Sequence, residues 1–356
     1  MSARPEQQPD LRSRVDAALQ RFLRGVTPAL VGIADDLAPF AAAIETFVLD
    51  GGKRLRPAFC YWGCRAAGGA DSDAVVTAAA SLELLQACAL VHDDVIDASD
   101  TRRGGPSVHR RFARIHRDAG WSGDADAFGV AAAILLGDLA LIWADTMLAE
   151  SGVSDVALQH AFGIWDTMRV EVMCGQYLDV VEQARGGGSV DRALRVARFK
   201  SASYTVERPL QLGAALAGAS NEVLDALSAY GRPLGEAFQL RDDLLGVYGD
   251  PAATGKPAGD DLREGKRTVL VALATEHADA AGRSTLDRLL GDPALDATGI
   301  EELREMIAST GAVAEVERLI ADRAAAARAA LGSPLLDTVA VPALAELAEA
   351  AAHRIS

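Results

Sequence analysis

Residues 92–104 read His92-Asp93-Asp94-Val95-Ile96-Asp97-Ala98-Ser99-Asp100-Thr101-Arg102-Arg103-Gly104, and the fold is read outward from them. Three carboxylates, Asp93, Asp94 and Asp97, close a mostly apolar run from Leu82 to Val91. In a helix, residues four apart share a face, so Asp93 and Asp97 stack while Asp94 lies about 100° round from Asp93. Like charges stacked in this way cost an isolated helix roughly a few tenths of a kcal/mol. A hard divalent cation bound by oxygen would offset that cost. Arg102 and Arg103, close behind, suit the oxygens of a phosphate. In a chain with 50 acidic residues, one such string also suits a solvated helix end. A second copy argues against that reading. Asp242-Asp243 again sits on an apolar stretch (Ala237, Phe238, Leu240, Leu244, Leu245) and is again followed by cations, Lys256 and Lys266.

Composition narrows the classes. The chain has 356 residues, 50% of them hydrophobic but only 5% aromatic, and alanine is abundant. That favours closely packed helices over sheet. A net charge of −15 argues against a nucleic-acid partner, which needs a basic face. It leaves phosphorylated small molecules open, because bound metals reverse the local sign. Cys60, Cys64, Cys88 and Cys174 do not form two close metal-type pairs and read as small buried residues of a reducing compartment. The first ten residues have no apolar signal region. The apolar runs are broken by charge before the roughly 18 residues a membrane span needs. The expectation is a soluble, cytoplasmic protein.

The coarse pass gives a polar, loose tail over residues 1–10 and helices from Leu11 to Leu49. Gly51-Gly52-Lys53-Arg54-Leu55-Arg56-Pro57 follows, with two glycines that let backbone approach a ligand and three cations in four residues. This reads either as a helix end dressed with cations or as an anion site. Further helices are expected over Pro57–Ala67, Ala74–Asp97, Val130–Leu148, Ala161–Val181, Asp191–Ala217 and Asn221–Tyr248. Thr101–Gly123 reads as loop, Gly249–Gly265 as a mobile surface loop, and helices resume at Thr268. No strand alternation and no linker stands out. The fold class is all-α: a single domain over residues 11–356, with ten or more helices bundled around a deep central cavity.

Five motifs occur in one order between about residues 48 and 270: Gly-Gly-Lys-x-x-Arg-Pro, Asp-Asp-x-x-Asp with Arg-Arg-Gly, Gly175-Gln176-x-x-Asp179, Lys200-Ser201, and Phe238-Gln239-x-x-Asp242-Asp243 with its lysine loop. In these the chain resembles the trans-polyprenyl diphosphate synthases. The resemblance implies a magnesium-dependent prenyltransferase, with three Mg2+ per site, that joins isopentenyl diphosphate to dimethylallyl, geranyl or farnesyl diphosphate. It implies metal binding by Asp93, Asp97 and Asp242, with Asp94 and Asp243 beside them. Arg102, Lys200, Lys256 and Lys266 would hold the allylic diphosphate, and Gln176, Asp179 and Gln239 would line that side. Lys53, Arg56, Gln86 and Arg103 would hold isopentenyl diphosphate. Lys200, Ser201 and Gln239 would aim dipoles at an allylic cation, with released diphosphate taking the proton. A homodimer is also implied.

The chain departs from the family pattern at Gly246, where the second motif usually ends in aspartate; Asp250 and Asp260 are further carboxylates nearby in sequence. The expectation is weakened third-metal binding. Members that stop at short products commonly carry an aromatic four or five residues before the first aspartate. Here Ala89 and Cys88 stand there, and Leu85 is the first bulky residue deeper in the helix. The expected product is C20, geranylgeranyl diphosphate, with C15 and C25-or-longer products as alternatives. A terpene cyclase would share the first motif but lack the Lys53/Arg56 cluster. A non-catalytic partner subunit would usually have lost the first acidic motif.

Overall fold

The computed structural model describes residues 10–250, 259–292 and 294–352. The expected loose tail, apart from Asp10, and Lys256 lie outside the described residues.

The organising element is α4 (Asp73–Ile96). It starts where the Ser72 hydroxyl accepts from the Val75 N–H, satisfying one of the open donors of the first turn. Its residues are apolar or small nearly all round, so it can be enclosed on every side. Packed on it are α1 (Leu11–Val31), α2 (Ala38–Leu49), α3 (Leu55–Ala66), α5 (Val108–Asp118) and, most extensively, α6 (Ala125–Ala149). α7 (Asp155–Arg185) closes the same core through Leu158, Trp165, Met168 and Val172.

The second half of the bundle begins at α8 (Val190–Val196). The chain continues as a π-helical stretch, Ala197–Glu207, and then as α9 (Arg208–Leu216). α10 (Asn221–Tyr248) carries the second acidic motif. After it come the short α11 (Asp260–Arg263), α12 (Val269–His277), α13 (Ala280–Leu289), α14 (Ala297–Ser309), α15 (Ala312–Ala330) and α16 (Val341–Ala352). A second apolar cluster joins the lower half of α10 to α12–α15, and a third joins α3, α9 and upper α10 to α15 and α16.

Missing side chains set how closely the site-bearing segments approach. A Cβ at Gly175 on α7 would fall 2.2 Å from the Lys200 backbone nitrogen, and one at Gly235 on α10 would fall 2.6 Å from the Ala202 carbonyl oxygen. The π-helical stretch is therefore wedged between two helices that give way to it.

Three expectations need correction. Residues 108–118, read as loop, form α5; Val108, Phe112 and Ala113 are buried against α6 while Arg114 and Arg117 are exposed, and the polar composition concealed that stripe. Cys174 is exposed, on the outer side of α7, while Cys60, Cys64 and Cys88 are buried. Finally, α4 and α6 are each long and apolar enough to cross a membrane, because the charges within their most apolar windows are too few to break them. For α4 this marks a core helix, with 72% of that window buried; for α6 only 39% is buried.

Gly175→Ala should overpack the α7 contact with Lys200 and lower stability by about 1–3 kcal/mol. The check is a lower urea midpoint with an unchanged denaturant slope.

Candidate active site

The first acidic motif sits at the end of α4 and is folded back on by a hairpin. Thr101–Arg102 pairs with Gly105–Pro106 across a two-residue turn, Arg103-Gly104, whose residues both have positive φ (54° and 76°). Such a turn matches the twist of a tight hairpin. It sends the two arginines different ways. Arg102 returns to α4, where its Nε donates to Asp94 Oδ1 at 2.8 Å and its guanidinium stands 3.4 Å from Asp93. Arg103 reaches α2, donating to the Phe47 and Asp50 carbonyls at 3.0 and 2.8 Å.

The carboxylates divide as their helical positions predict. Asp94 is fully buried and grips Arg102 on the side away from the shared face. Asp93 lines the cavity, with the Lys200 ammonium 3.0 Å from its Oδ1. Burial alone would raise Asp93, but Lys200, Lys266 and Arg102 together hold it well below the usual carboxylate range. Asp97 lies deeper, under Lys266 at 3.2 Å. Burial raises its carboxyl, Asp93 adds to the rise and Lys266 opposes it. Lys200 also pairs with Asp179 at 2.6 Å, and Lys266 pairs with Glu264 at 2.5 Å. Glu264 in turn accepts from the Ser99 hydroxyl.

The Gly-Gly-Lys stretch is the opposite wall. Gly51, Gly52 and Arg54 all take positive φ, and the last is a strained choice for arginine. Its surroundings hold it there. Arg54 is buried, donating to Asp16 at 2.8 Å, to Glu83 of α4 at 2.6 Å and to the Val48 carbonyl at 3.0 Å. The loop is thereby pinned, and Lys53 and Arg56 on either side of Arg54 line the cavity. Arg56 lies 4.3 Å over the Tyr204 ring and donates to the Thr205 hydroxyl at 2.7 Å. The Tyr204 hydroxyl donates to the Gln86 amide oxygen.

On α10, Asp242 lines the cavity. Asp243 is buried, accepts from Gln239 Nε2 at 2.7 Å, and is pushed up to about 8 by burial, with Asp261 and Asp242 adding to the rise. The resulting cavity is about 410 Å3. It brings together Lys53, Arg56, Gln86, Asp93, Arg102, Arg103, Gln176, Asp179, Lys200, Ser201, Gln239, Asp242, Asp243 and Lys266. Asp94 and Asp97 are outside its lining. Of the expected depth markers, Ala89 lines the cavity, as does Val172 of α7; Leu85 and Cys88 do not line it, and the Cys88 sulfur stands 3.8 Å from His92 Nδ1.

Sequence reasoning passed over four side chains here. Glu83 was detectable as a lone charge in an apolar helix. Tyr204 and Thr205 follow Lys200-Ser201 by one turn and carry no signal of their own. Asp261, rather than its neighbour Asp260, lines the cavity, and only the fold distinguishes the two.

A divalent cation fits the donor set. Asp93 Oδ1 and Asp97 Oδ2 are buried against lysine ammonium groups, Asp97 Oδ1 is buried with no hydrogen bond among the described residues, and carboxylate oxygen is the ligand a hard cation prefers. As arranged here the carboxylates face lysines and arginine, and among the described residues no three acidic, histidine or cysteine side chains converge on one point.

An all-α bundle whose cavity combines paired carboxylates with two groups of cations is a site for diphosphate substrates. The comparisons agree. The family model for polyprenyl synthetase matches residues 38–307. The chain is 32% identical to a geranylgeranyl diphosphate synthase of Mycobacterium tuberculosis, over 90% of this chain and 87% of that one. It is 33% identical to a geranylfarnesyl diphosphate synthase of Aeropyrum pernix, over 74% and 77% respectively. Its fold superposes on the crystal structure of a geranylgeranyl pyrophosphate synthase of Corynebacterium glutamicum, complexed with isoprenyl diphosphate and magnesium, with a TM-score of 0.94 and 43% identity. That alignment covers 97% of this chain and 98% of the other. The chain belongs to the polyprenyl synthetase family. It is a prenyltransferase, and magnesium dependence is general in its family.

Glu83→Ala leaves Arg54 buried with one partner fewer and should cost about 3–5 kcal/mol, measured by chemical denaturation. Glu83→Gln, which keeps a hydrogen-bond acceptor, should cost less.

Proposed function

We propose that the protein condenses isopentenyl diphosphate head-to-tail with an allylic diphosphate and releases geranylgeranyl diphosphate. The observation that carries this reading is the presence of two separate cation groups on one cavity. Lys53, Arg56 and Arg103 form one; Arg102, Lys200 and Lys266 form the other, beside the carboxylates. Two groups suit two diphosphates, whereas a cyclase handles one.

In this reading Asp93, Asp97 and Asp242 would hold three magnesium ions. Bound there, magnesium supplies Lewis-acid stabilisation of the departing diphosphate. Lys200, Lys266 and Arg102 turn from carboxylate partners to the diphosphate oxygens, and their fixed charge favours the product side of ionisation. The allylic C–O bond breaks with its electron pair leaving on diphosphate. Lys53, Arg56 and Arg103 hold isopentenyl diphosphate so that its double bond attacks the allylic carbon. The proton lost from the new cation passes to diphosphate. The Lys200 carbonyl, the Ser201 hydroxyl and the Gln239 amide oxygen face the transient cation, and Ala89, Leu90, Val172 and Phe238 keep water from it.

Chain length follows from Ala89. It is the small residue of α4 that lines the cavity near the first acidic motif, and in this reading the growing tail passes it. The relatives named for geranylgeranyl products support C20. We also propose one domain over residues 11–356, and a cytoplasmic homodimer rather than membrane insertion. Ile134, Leu135 and Ile142 on α6, and Val170, Met173 and Tyr177 on α7, are exposed apolar side chains of the kind a second copy would cover.

Three outcomes follow. Arg56→Ala should raise KM for isopentenyl diphosphate at least about tenfold while leaving KM for the allylic substrate near wild type, since a charge-assisted contact contributes about 1.5–3 kcal/mol. Equal rises in both constants contradict the two-group reading. Ala89→Phe should shift the sized product toward C15, and an unchanged C20 product places the floor elsewhere. Tyr177→Asp should convert a dimer to monomer in light scattering; a wild-type monomer refutes the homodimer.

A further inference from the structure

The C-terminal ends of α4 and α11 are closed in the same way. After Asp97 the chain turns at Ala98 (φ 53°), and the N–H groups of Ser99 and Ala98 return to the Asp94 and Val95 carbonyls at 3.0 and 3.4 Å. After Glu264 it turns at Gly265 (φ 72°), and the N–H groups of Lys266 and Gly265 return to the Asp261 and Leu262 carbonyls at 3.0 and 3.3 Å. Each closure satisfies carbonyls that the last helical turn would leave open. Glycine takes the left-handed conformation freely, whereas Ala98 carries a Cβ into it at a cost.

The two closures face each other and pair reciprocally. Asp97, the cap of α4, lies 3.2 Å from the ammonium of Lys266, two residues past the cap of α11. Glu264, the cap of α11, accepts at 2.5 Å from the hydroxyl of Ser99, two residues past the cap of α4. Its other oxygen lies 2.5 Å from Lys266 Nζ. Ser99 and the side chains of Asp97 and Glu264 are buried. The register is fixed from outside the site, because Leu262 is fully buried in the second apolar cluster and its carbonyl also accepts from the Gly291 N–H at 2.9 Å.

An ammonium group has three donors. Around that of Lys266 stand Glu264 at 2.5 Å, Asp97 at 3.2 Å and Asp261 at 3.5 Å. Glu264 is the nearest of the three, and Ser99 ties it to the end of α4. When Asp97 turns to another partner, Glu264 still holds the ammonium beside the cavity with a donor released for a phosphate oxygen.

We propose that Ser99 and Glu264 are positioning residues for the allylic diphosphate: their hydrogen bond joins the end of α4 to the α11 turn and fixes the Lys266 ammonium where it can leave Asp97 for a phosphate oxygen. Lys266 lines the cavity and neither Ser99 nor Glu264 does, so both act through it. This rests on the reading of Lys266 as an allylic-diphosphate residue.

The experiment measures equilibrium binding of an unreactive allylic thiolodiphosphate and, separately, of labelled isopentenyl diphosphate to the full-length protein with magnesium, with folding checked by circular dichroism. Ser99→Ala should raise Kd for the allylic analogue about fivefold or more, the scale of losing a hydrogen bond to a charged group. Its Kd for isopentenyl diphosphate should stay near wild type, and Ser99→Thr, which keeps the hydroxyl, should bind both ligands as the wild type does. In a Lys266→Gln background Ser99→Ala should weaken the allylic analogue no further, because the group it positions is gone. Additive losses in that background, equal losses for both ligands, or wild-type allylic binding by Ser99→Ala beside weakened binding by Lys266→Gln overturn the inference and leave the reading of Lys266 intact. Wild-type allylic binding by Lys266→Gln overturns both. If Ser99→Ala does not fold, Glu264→Gln decides through the same cycle: a loss that vanishes with Lys266→Gln supports the inference, and an additive loss refutes it.

Discussion

Everything at the site depends on offsetting the cost of placing several carboxylates beneath the surface. Asp93 and Asp97 stack on one face at the end of α4, where burial penalises each charge and Asp93 raises Asp97 further. Lys200 arrives from the π-helical stretch, Lys266 from the turn after α11, and Arg102 from the hairpin. Three distant segments thus converge because a buried carboxylate without a counter-charge is costly. The glycines that let the segments approach, and the capped start of α4, serve that convergence. Function uses the same arrangement: cations able to neutralise carboxylates are also able to grip diphosphate.

The opposite wall has its own constraint. Arg54 is an arginine in a left-handed backbone conformation, buried and paired with Asp16 and Glu83. One strained, fully partnered residue orients Lys53 and Arg56 on either side of it. The strain resides where the loop must stay open for a ligand, and the pairing on α1 and α4 holds it in place.

Much of this was legible from residues alone. The helical class followed from alanine-rich periodic segments, and the different directions of Asp93 and Asp94 followed from helix geometry. What escaped did so for physical reasons. α5 was hidden because its buried stripe is narrow and its exposed arginines dominate the composition. The apolar length of α4 and α6 was underestimated because isolated charges such as Glu83 interrupt the string of letters without making the helix polar. Cys88 and Ala89 are adjacent in sequence, and only the packing of α4 on α6 and α7 separates the one against His92 from the one facing the cavity. Asp260 and Asp261 pose the same problem: the buried Leu262 sets the phase of the turn, and no local pattern announces it.

The central claim is that one cavity accepts two diphosphates through two distinct cation groups. Equilibrium binding of labelled isopentenyl diphosphate to the purified protein, with magnesium and a saturating unreactive allylic thiolodiphosphate, tests it directly. The account predicts that both ligands bind together, that chelating magnesium releases the allylic analogue more readily, and that Arg56→Ala weakens isopentenyl diphosphate alone. Mutual displacement of the two ligands from a single site would contradict it.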